Sequence, residues 1–375
     1  MSYLRTIERA MWAAAKKHLP PRAIVGKALA NAIVDRSVLY TTERELLAER
    51  PRGRVEEDLA ARALFFTIAD AAKVRVPLAE LMNSDKLHGG STLRVADIGA
   101  GAGAMTLGLL SLSRPADALE VVAVDRDRGA LQLLSAAVAE LPADWTQGVT
   151  VTTECADARG WKPETAGFDL ILAGTLLNEM TGDAAYRMVS GWLDWLNEDG
   201  AIIITEPALR ETARALHELR DRILTAERAH VFAPCTRTIA PCPMLADDKD
   251  WCHEDRHVDL PERISQLVTS TGLRTQGLKF SYLVLRKQPG GVVDDVDGER
   301  RALRVVSRPR KLKGRKQCFV CGEHGRTVFR LMKRNRSDAN RVFESARRGD
   351  VLVAAPRKDA LADDTVDVLR PAAID

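Results

Sequence analysis

The sequence predicts an α/β fold whose core is a Rossmann-like, doubly wound parallel sheet. Three observations support this prediction. Short β-rich runs alternate with helical patterns from residue 93 to residue 207, and a glycine-rich turn follows the first of these runs. The chain has 375 residues, 46% hydrophobic and 29% charged, which is ordinary for a globular protein of two or three domains. Such alternation is typical of parallel strands joined by crossover helices.

Residues 1–88 are predicted to form a helical N-terminal region. Apolar residues recur there at spacings of three and four, with charges between them, in WAAAKKHL, RAIVGKALANAIVDRS and VEEDLAARALFFTIADAAKV. The first twenty residues lack the apolar core of a secretory signal, although their basic, amphipathic character is compatible with an organellar targeting segment. No run of eighteen apolar residues occurs, so we expect no membrane span.

The predicted core occupies residues 89–290. Its strands are the runs TLRVADIG, ALEVVAVD, VTVTTECAD, FDLILAG and GAIIITEP, with LKFSYLVLRK as a further strand. GALQLLSAAVAEL and AAYRMVSGWLDWLN, which lie between these runs, have the helical period. A cysteine-rich insertion, residues 233–257, interrupts the core before the last strand.

The remaining residues, 291–375, are predicted to form a small, basic β module. An acidic linker, GVVDDVDGER, precedes strand-like runs in ALRVVSRP, KQCFVCGEHGRTVFRLM and DVLVAAPRK. Between Arg300 and Arg348 there are 17 Lys and Arg against 3 Asp and Glu. So basic a block in a chain of net charge +3 indicates a polyanionic partner, with Phe319 and Phe329 as candidate stacking surfaces; the alternative is a solvated, basic face.

The glycine-rich turn VADIGAGAGAMTLGLL predicts a nucleotide-like cofactor site. Glycines let backbone N–H groups approach a ligand beside a helix N-terminus. The second strand ends in an acid suited to ribose hydroxyls, and the third ends in an acid that could accept from an adenine amino group. The candidate cofactor residues are Asp97, Gly99, Gly101, Gly103, Asp125, Asp157 and Asn178.

The form of the turn, DxGxGxG, favours S-adenosylmethionine over a dinucleotide, whose usual GxGxxG motif lacks the leading acid. The lysine of a phosphate-binding P-loop is absent, which argues against an NTPase. The alternative is that the glycines serve only strand-to-helix packing. Asn178 and Glu179 follow the fourth strand, but neither a proline-rich amino-methylation motif nor a nucleophilic cysteine accompanies them. The sequence therefore identifies no catalytic residue.

The cysteine-rich insertion predicts a metal site. Cys235, Cys242 and Cys252 lie within eighteen residues, in a polar, proline-containing segment where packed apolar thiols are not expected. Their spacing is too wide for the short pairs that are usual around zinc. Three thiolates from an irregular loop, completed by a distant fourth, suit a four-iron–four-sulfur cluster; zinc is the alternative.

The fourth ligand is predicted in the basic module, where Cys318 and Cys321 form a CxxC. In an extended strand, residues three apart point to opposite faces, so only one of the two need face the cluster. Cys321, at the junction with a turn, is the first choice and Cys318 the second. Cys155, in the third predicted strand, is expected to be a packed core thiol.

Taken together, four features resemble a known family: the glycine turn, LLNEM after the fourth strand, the PC…PCP…WCH spacing, and KFSYLVL at residues 279–285. The chain resembles the methyltransferase-like proteins of the mitochondrial small ribosomal subunit and their bacterial relatives, over roughly residues 90–330. The cysteine signature is the most specific part of this likeness. Two segments differ: Glu254 and Asp255 follow WCH, and ERPRGRVEEDLAARALFF stands in place of an Arg-Met-Pro stretch.

The resemblance implies a methyltransferase fold that binds S-adenosylmethionine and a four-iron–four-sulfur cluster, and that associates with small-subunit ribosomal RNA. It matches Cys235, Cys242 and Cys252 to the three clustered ligands and Cys321 to the downstream one. It also contributes much of the preference for iron–sulfur over zinc. We expect a monomer, in the bacterial cytoplasm or, in a eukaryote, the mitochondrial matrix.

Three functions remain open. The first is a methyltransferase acting on small-subunit ribosomal RNA, and the second is a non-catalytic assembly or translation factor that uses both cofactors structurally. The missing catalytic motif favours the second, and the intact cofactor turn favours the first. The third, a radical enzyme, is disfavoured because its CxxxCxxC motif is absent and four cysteines would leave no open iron.

Overall fold

The computed structural model describes residues 2–42, 54–87, 90–112, 118–273, 277–294, 296, 300–357, 360–361 and 367–369. The predicted boundary at residues 88–89, part of the acidic linker and the last residues of the chain lie outside this description. Among the described residues, no helix is long and apolar enough to cross a bilayer.

The N-terminal region is helical, as predicted. Its elements are α1 (Tyr3–His18), α2 (Gly26–Thr41), α3 (Val55–Ala61), α4 (Ile68–Asp70) and α5 (Arg75–Asn83), with a π-helical turn (Arg62–Thr67) joining α3 to α4. The apolar stripe of α1 is buried through Leu4, Ile7 and Met11, since apolar residues three and four apart share one helix face. These helices pack on one face of the sheet described next.

The core is a mixed eight-stranded sheet. Its strands are β1 (Thr92–Ile98), β2 (Ala118–Asp125), β3 (Val149–Cys155), β4 (Phe168–Gly174), β5 (Leu196–Pro207), β6 (His230–Ala233), β7 (Glu254–Arg256) and β8 (Leu278–Arg286). The order is β3-β2-β1-β4-β5-β8-β6, and β7 pairs with β8. The pairs among β1 to β5 are parallel, whereas β8 is antiparallel to β5, β6 and β7.

Helices cover both faces of this sheet. They are α6 (Ala104–Leu110), α7 (Arg128–Ala139), α8 (Ala143–Thr146), α9 (Gly182–Trp195), α10 (Arg210–Thr225) and α11 (Glu262–Thr271). Side chains alternate along β1: Leu93 and Val95 pack into the layer that contains α1 and α7, and Ala96 and Ile98 into the layer that contains α9 and α10. Burial on both faces explains why these strands read as continuous apolar runs.

The C-terminal module is a second sheet with its own core. Its strands are β9 (Arg301–Val305), β10 (Arg310–Leu312), β11 (Arg315–Gly322), β12 (Gly325–Met332), β13 (Val351–Ala354), β14 (Pro356–Arg357), β15 (Ala360–Leu361) and β16 (Asp367–Leu369). The order is β14-β15-β12-β11-β9-β13-β16, with β10 on β11. The predicted Rossmann-like core, helical N-terminal region and C-terminal β module are confirmed.

One prediction about the core is wrong. Cys155, expected to be a packed thiol, is exposed. It ends β3, which is an edge strand of the sheet and exposes five of its seven residues. Side chains of a strand point alternately to the two faces of the sheet, and at the edge these faces are not both covered. The sequence of β3 alone does not reveal that it lies at the edge.

Candidate functional site

The glycine turn begins a cleft at the carboxyl ends of the parallel strands. Gly99, Gly101 and Gly103 all have positive φ (73°, 54° and 91°), which L side chains rarely adopt. The amide of Gly101 donates to Asp125 Oδ2 at 2.8 Å, and Asp125 Oδ1 accepts from the amide of Asp127 at 2.8 Å. The carboxylate at the end of β2 therefore fixes the turn, as well as facing the cleft.

The cleft has a volume of about 1310 Å³. Of the predicted cofactor residues, it is lined by Gly99, Gly101, Asp125 and Asp157. A Cβ at Gly101 would meet no atom within 4 Å, so the position opens into free space. Hydrogen bonds from Arg159 hold the pKa of Asp157 at about 2, which keeps this carboxylate ionised at neutral pH.

Three predicted cofactor residues lie behind the wall of the cleft instead. Asp97 is fully buried, and its Oδ2 accepts from the amide of Thr106 at 3.1 Å and from its hydroxyl at 2.6 Å. A Cβ at Gly103 would lie 2.2 Å from the side chain of Leu134. Asn178 Nδ2 donates to Glu206 Oε2 at 2.6 Å. These three residues build the loops around the cleft.

The N-terminal helices supply an unpredicted wall of the cleft. Arg36 on α2 donates to Asp58 Oδ1 at 2.7 Å, and Arg62 donates to Asp58 Oδ2 at 3.0 Å and also pairs with Asp127. Asp127 caps α7 by accepting from the amides of Gly129 and Ala130. The network therefore ties the helical region to the loop after β2. The sequence signal that could have predicted part of this network is the spacing of Asp58 and Arg62, because oppositely charged residues four apart on a helix can pair.

The four predicted metal ligands come together in a second place. Cys235, Cys242, Cys252 and Cys321 all line one small cavity of about 30 Å³. Burial, and then the neighbouring thiols, raises the pKa of Cys242 to about 11 and that of Cys321 to about 12. Burial, and then the same neighbours, also raises the pKa of Cys252. The described residues contain no group of three His, Cys, Asp or Glu side chains arranged to hold a single metal ion.

The structure separates the two cysteines of the CxxC. Cys321 faces the cavity, whereas Cys318 is buried in the core of the C-terminal module with Phe329 and Phe343. They lie three apart on β11, where alternate residues point to opposite faces. The turn after Cys321 is joined to the cysteine-rich insertion, since Thr236 Oγ1 donates to the carbonyl of Cys321 at 3.1 Å and Arg237 donates to that of Glu323.

A buried ion pair lies beside the cavity and joins all three regions. Arg304 on β9 donates to Glu80 of α5 at 2.5 Å and to the carbonyl of Pro234, directly before Cys235, at 2.7 Å. Tyr282 on β8 donates to the other oxygen of Glu80 at 2.7 Å. Arg304 and Glu80 are 3% and 2% exposed, so neither charge has water as a partner. Sequence reasoning missed this pair, because its members are 224 residues apart.

The outer face of the second sheet is basic. Register places Arg310, Gln317 and Arg330 side by side across β10, β11 and β12. Phe319 lies on this face, 38% exposed, with the guanidinium of Arg326 at 4.3 Å from its ring centre. One expectation is wrong here, because Phe329, a candidate stacking surface, is buried in the module's core. Lys316, which belongs to the same basic block, is also buried, and it donates to the carbonyl of Phe343 at 3.2 Å.

Comparisons with known proteins agree with the family resemblance. Residues 60–352 match the family model described as Rsm22, mitochondrial small ribosomal subunit Rsm22. No curated protein matches the chain.

Solved structures with similarity include magnesium protoporphyrin IX methyltransferase from Synechocystis PCC 6803 with bound SAM (13% identity, 70% of this chain, 100% of that chain, TM-score 0.37). The plantazolicin methyltransferase BpumL with SAH is 11% identical, over 69% of this chain and 99% of that one, with a TM-score of 0.39. Phosphoethanolamine N-methyltransferase 1 of Haemonchus contortus is 20% identical, over 40% of this chain and 27% of that one, with a TM-score of 0.27. The fold assignment rests on the sheet order of this chain itself.

Proposed function

The chain belongs to the Rsm22 family of the mitochondrial small ribosomal subunit, and from that premise we propose a small-subunit factor with a methyltransferase fold. It binds S-adenosylmethionine in the cleft, a four-iron–four-sulfur cluster between the four cysteines, and ribosomal RNA on the basic face. The observation that carries the proposal is the shared cavity, in which a cysteine of the basic module meets three cysteines of the core. The protein acts as a monomer in the compartment of its ribosome, the mitochondrial matrix or the bacterial cytoplasm.

The cofactor proposal is supported by the chemistry around the turn. Gly101 opens into the cleft beside the carboxylate of Asp125, which suits ribose hydroxyls, and Asp157 supplies an ionised acceptor further along the same edge. The cleft of about 1310 Å³ leaves room for a substrate group that accepts the methyl, beside the cofactor. Glu179 and Met180 line it after β4, and Arg126 Nη2 lies 3.9 Å from Glu179 Oε2.

The metal proposal is supported by the atoms that line the cysteine cavity. Four thiols surround it, and three buried nitrogens on its wall have no hydrogen-bond partner in the described part of the chain: His217 Nδ1, Arg220 Nε and His253 Nδ1. The Nε–H of Arg220 can only donate, and a neutral histidine donates from Nδ1 in one of its two tautomers. Because a buried donor without an acceptor is costly, an acceptor-rich occupant fits this wall. A four-iron–four-sulfur cluster supplies sulfide and thiolate acceptors and one-electron redox chemistry. Zinc on the same thiolates is the alternative.

The RNA proposal is supported by charges that lack partners. Among the described residues, Arg308, Arg310, Lys311, Lys313 and Arg330 are exposed and have no ion-pair partner. Exposed Phe319 adds a ring on the same face, and bases stack on such rings. A flat basic sheet face with one exposed ring suits unpaired RNA, because the bases of a duplex are already stacked.

A methyl-transfer assay on isolated small subunits separates the two remaining functions. Radiolabelled S-adenosylmethionine is offered with anaerobically purified protein, and cofactor binding is measured in parallel by calorimetry. Binding with methyl transfer to RNA makes the protein a methyltransferase. Binding without transfer favours the non-catalytic assembly factor, and an absence of binding contradicts the cofactor proposal itself.

The CxxC provides a matched test of the metal site. Cys321→Ser should remove most of the iron and sulfide from anaerobic protein, whereas Cys318→Ser should retain about four of each per chain. Both variants alter a thiol of β11, which is buried at Cys318 and half-buried at Cys321, but of the two only Cys321 lines the cavity. Stoichiometric zinc without iron in protein never exposed to air would replace the cluster with a structural zinc site. Equal losses in the two variants would contradict the assigned ligand set.

A salt titration of RNA binding tests the basic face. Replacing Arg310, Lys311, Lys313 and Arg330 by Glu should weaken binding of small-subunit RNA and reduce the salt slope by about 0.7 per lost phosphate contact. Four exposed basic residues of the helical region serve as the charge-matched control: Arg5, Arg9, Lys16 and Lys27. If both quadruple variants lose the same affinity, net charge and not this face determines binding.

A further inference from the structure

Two arginines of α10 hold the cysteine-rich insertion in place. Arg214 donates to the carbonyls of Met244, Asp247 and Asp250 at 3.2, 2.9 and 3.1 Å. Arg220, further along the helix, donates from Nη2 to the carbonyls of Arg237 and Ile239 at 2.8 and 3.2 Å. Both side chains therefore fix backbone that runs between or beside the metal ligands.

The two arginines differ in what their remaining N–H groups face. Arg220 is 1% exposed, lines the cysteine cavity, and its buried Nε has no partner among the described residues. Arg214 is 18% exposed, and its guanidinium nitrogens are used on loop carbonyls and on Asp248. A buried N–H without an acceptor is destabilising, so holding the loop explains Arg214 but leaves Arg220 Nε unexplained.

The surroundings of Arg220 supply a reason for this N–H and its charge. Cys235 and Cys242 lie close enough to interact electrostatically with the guanidinium. Asp221 pairs with Arg220 Nη1, and its other oxygen accepts from the amide of Cys242 at 2.7 Å, so this carboxylate adds a negative charge to the same surroundings. Four thiolates with a cluster carry a net negative charge, which grows by one when the cluster takes up an electron. A buried cation stabilises the more negative state most.

We propose that Arg220 is a positioning residue that tunes the metal site: its Nε–H donates to a sulfur of the bound group, and its charge raises the reduction potential. Hydrogen bonds to sulfur and local charge are two of the ways in which a protein controls such potentials. The inference rests on the proposed cluster. It adds that one arginine of the helix sets the redox properties of the site, while its neighbour serves only the loop.

The test compares Arg220→Gln and Arg220→Lys with Arg214→Gln in anaerobic redox titrations of the full chain, followed by absorption and electron paramagnetic resonance. Arg220→Gln should shift the one-electron equilibrium at least tenfold toward the oxidised state, which is 59 mV more negative. Arg220→Lys keeps the charge but loses the planar N–H and should shift it by about threefold. Arg214→Gln should leave the potential unchanged, even if faster proteolysis shows a looser loop.

The outcomes are separable. A wild-type potential in Arg220→Gln, or an equal shift in Arg214→Gln, overturns the role of Arg220 while the cluster stands. If Arg220→Gln fails to hold iron, Arg220→Lys decides, and a wild-type potential there overturns the proposal. Wild-type protein without iron and sulfide contradicts the proposed function instead, since no cluster then exists to tune.

Discussion

The glycine turn of the cleft and the cysteine cavity are built in opposite ways. The turn of the cleft comes from one contiguous strand–turn–helix unit, in which Asp97, Gly101 and Thr106 lie within ten residues. The cavity draws Cys235 from the loop after β6 and Cys321 from β11, and it is braced by Glu80 of the N-terminal helices through Arg304. The turn can form with its own strand, whereas the cysteine cavity forms only when three regions have docked. The cavity should therefore be the more sensitive of the two to changes in docking.

The largest effect is expected from breaking the buried ion pair. Arg304→Met leaves the buried carboxylate of Glu80 without its cation, with only the neutral Tyr282 hydroxyl still donating to it from this network, and should lower the free energy of unfolding by about 3–5 kcal/mol. Arg301→Met, on the same strand, removes an exposed pair with Glu323 and should cost less than about 1 kcal/mol. Urea unfolding measures both changes. Equal losses would show that the composite region does not depend on this brace.

On the cleft side, Asp97 makes stability depend on pH. Burial raises the pKa of Asp97 to about 6, above its ordinary value of 3.8. The native state thus keeps a proton that the unfolded chain releases, and this contribution is full below about pH 4 and lost as the pH rises through 6. Asp97→Asn should gain up to about 3 kcal/mol relative to wild type between pH 4 and 7, from about 1.4 kcal/mol per pKa unit. Parallel stability curves for the two proteins would contradict the burial argument.

A block in the cleft should leave the cavity intact. Gly101→Arg fills the open space beside Asp125 and should weaken S-adenosylmethionine binding at least about 100-fold, or about 2.7 kcal/mol. Gly314→Arg is the matched control, because Gly314 also has positive φ (74°) and no atom within 4 Å of a Cβ, but it lies in the C-terminal sheet. Calorimetry gives cofactor affinity, and iron content reports the cavity. Unchanged affinity in folded Gly101→Arg would refute the cofactor site.

The smallest effect is expected from removing the hydrogen bond that Tyr282 donates to Glu80. Tyr282→Phe removes the hydroxyl that donates to Glu80 and should cost about 1–2 kcal/mol of unfolding free energy. Tyr186→Phe, on the half-exposed face of α9 under Arg222, should change stability by less than about 0.5 kcal/mol. Thermal or urea unfolding resolves this difference. A neutral Tyr282→Phe would mean that Glu80 is satisfied by Arg304 alone.

The sequence by itself determined what depends on local pattern. Hydrophobic periods of two and 3.6 residues predicted the strands and the helices. Gly99 and Gly101 marked the turn, because they adopt positive φ angles that other residues rarely adopt. Strand alternation within β11 also separated Cys321 from Cys318, because opposite faces follow from spacing alone.

Only the tertiary structure decided what depends on packing between distant segments. It exposed Cys155 on an edge strand, buried Phe329 and Lys316 in the module's core, and moved Asp97 and Gly103 behind the wall of the cleft. It also paired Glu80 with Arg304 and turned Arg220 toward the cysteine cavity. Burial and ion pairing depend on which residues are neighbours in three dimensions. The local sequence around a charged residue does not show which residue, here 224 positions away, will pair with it.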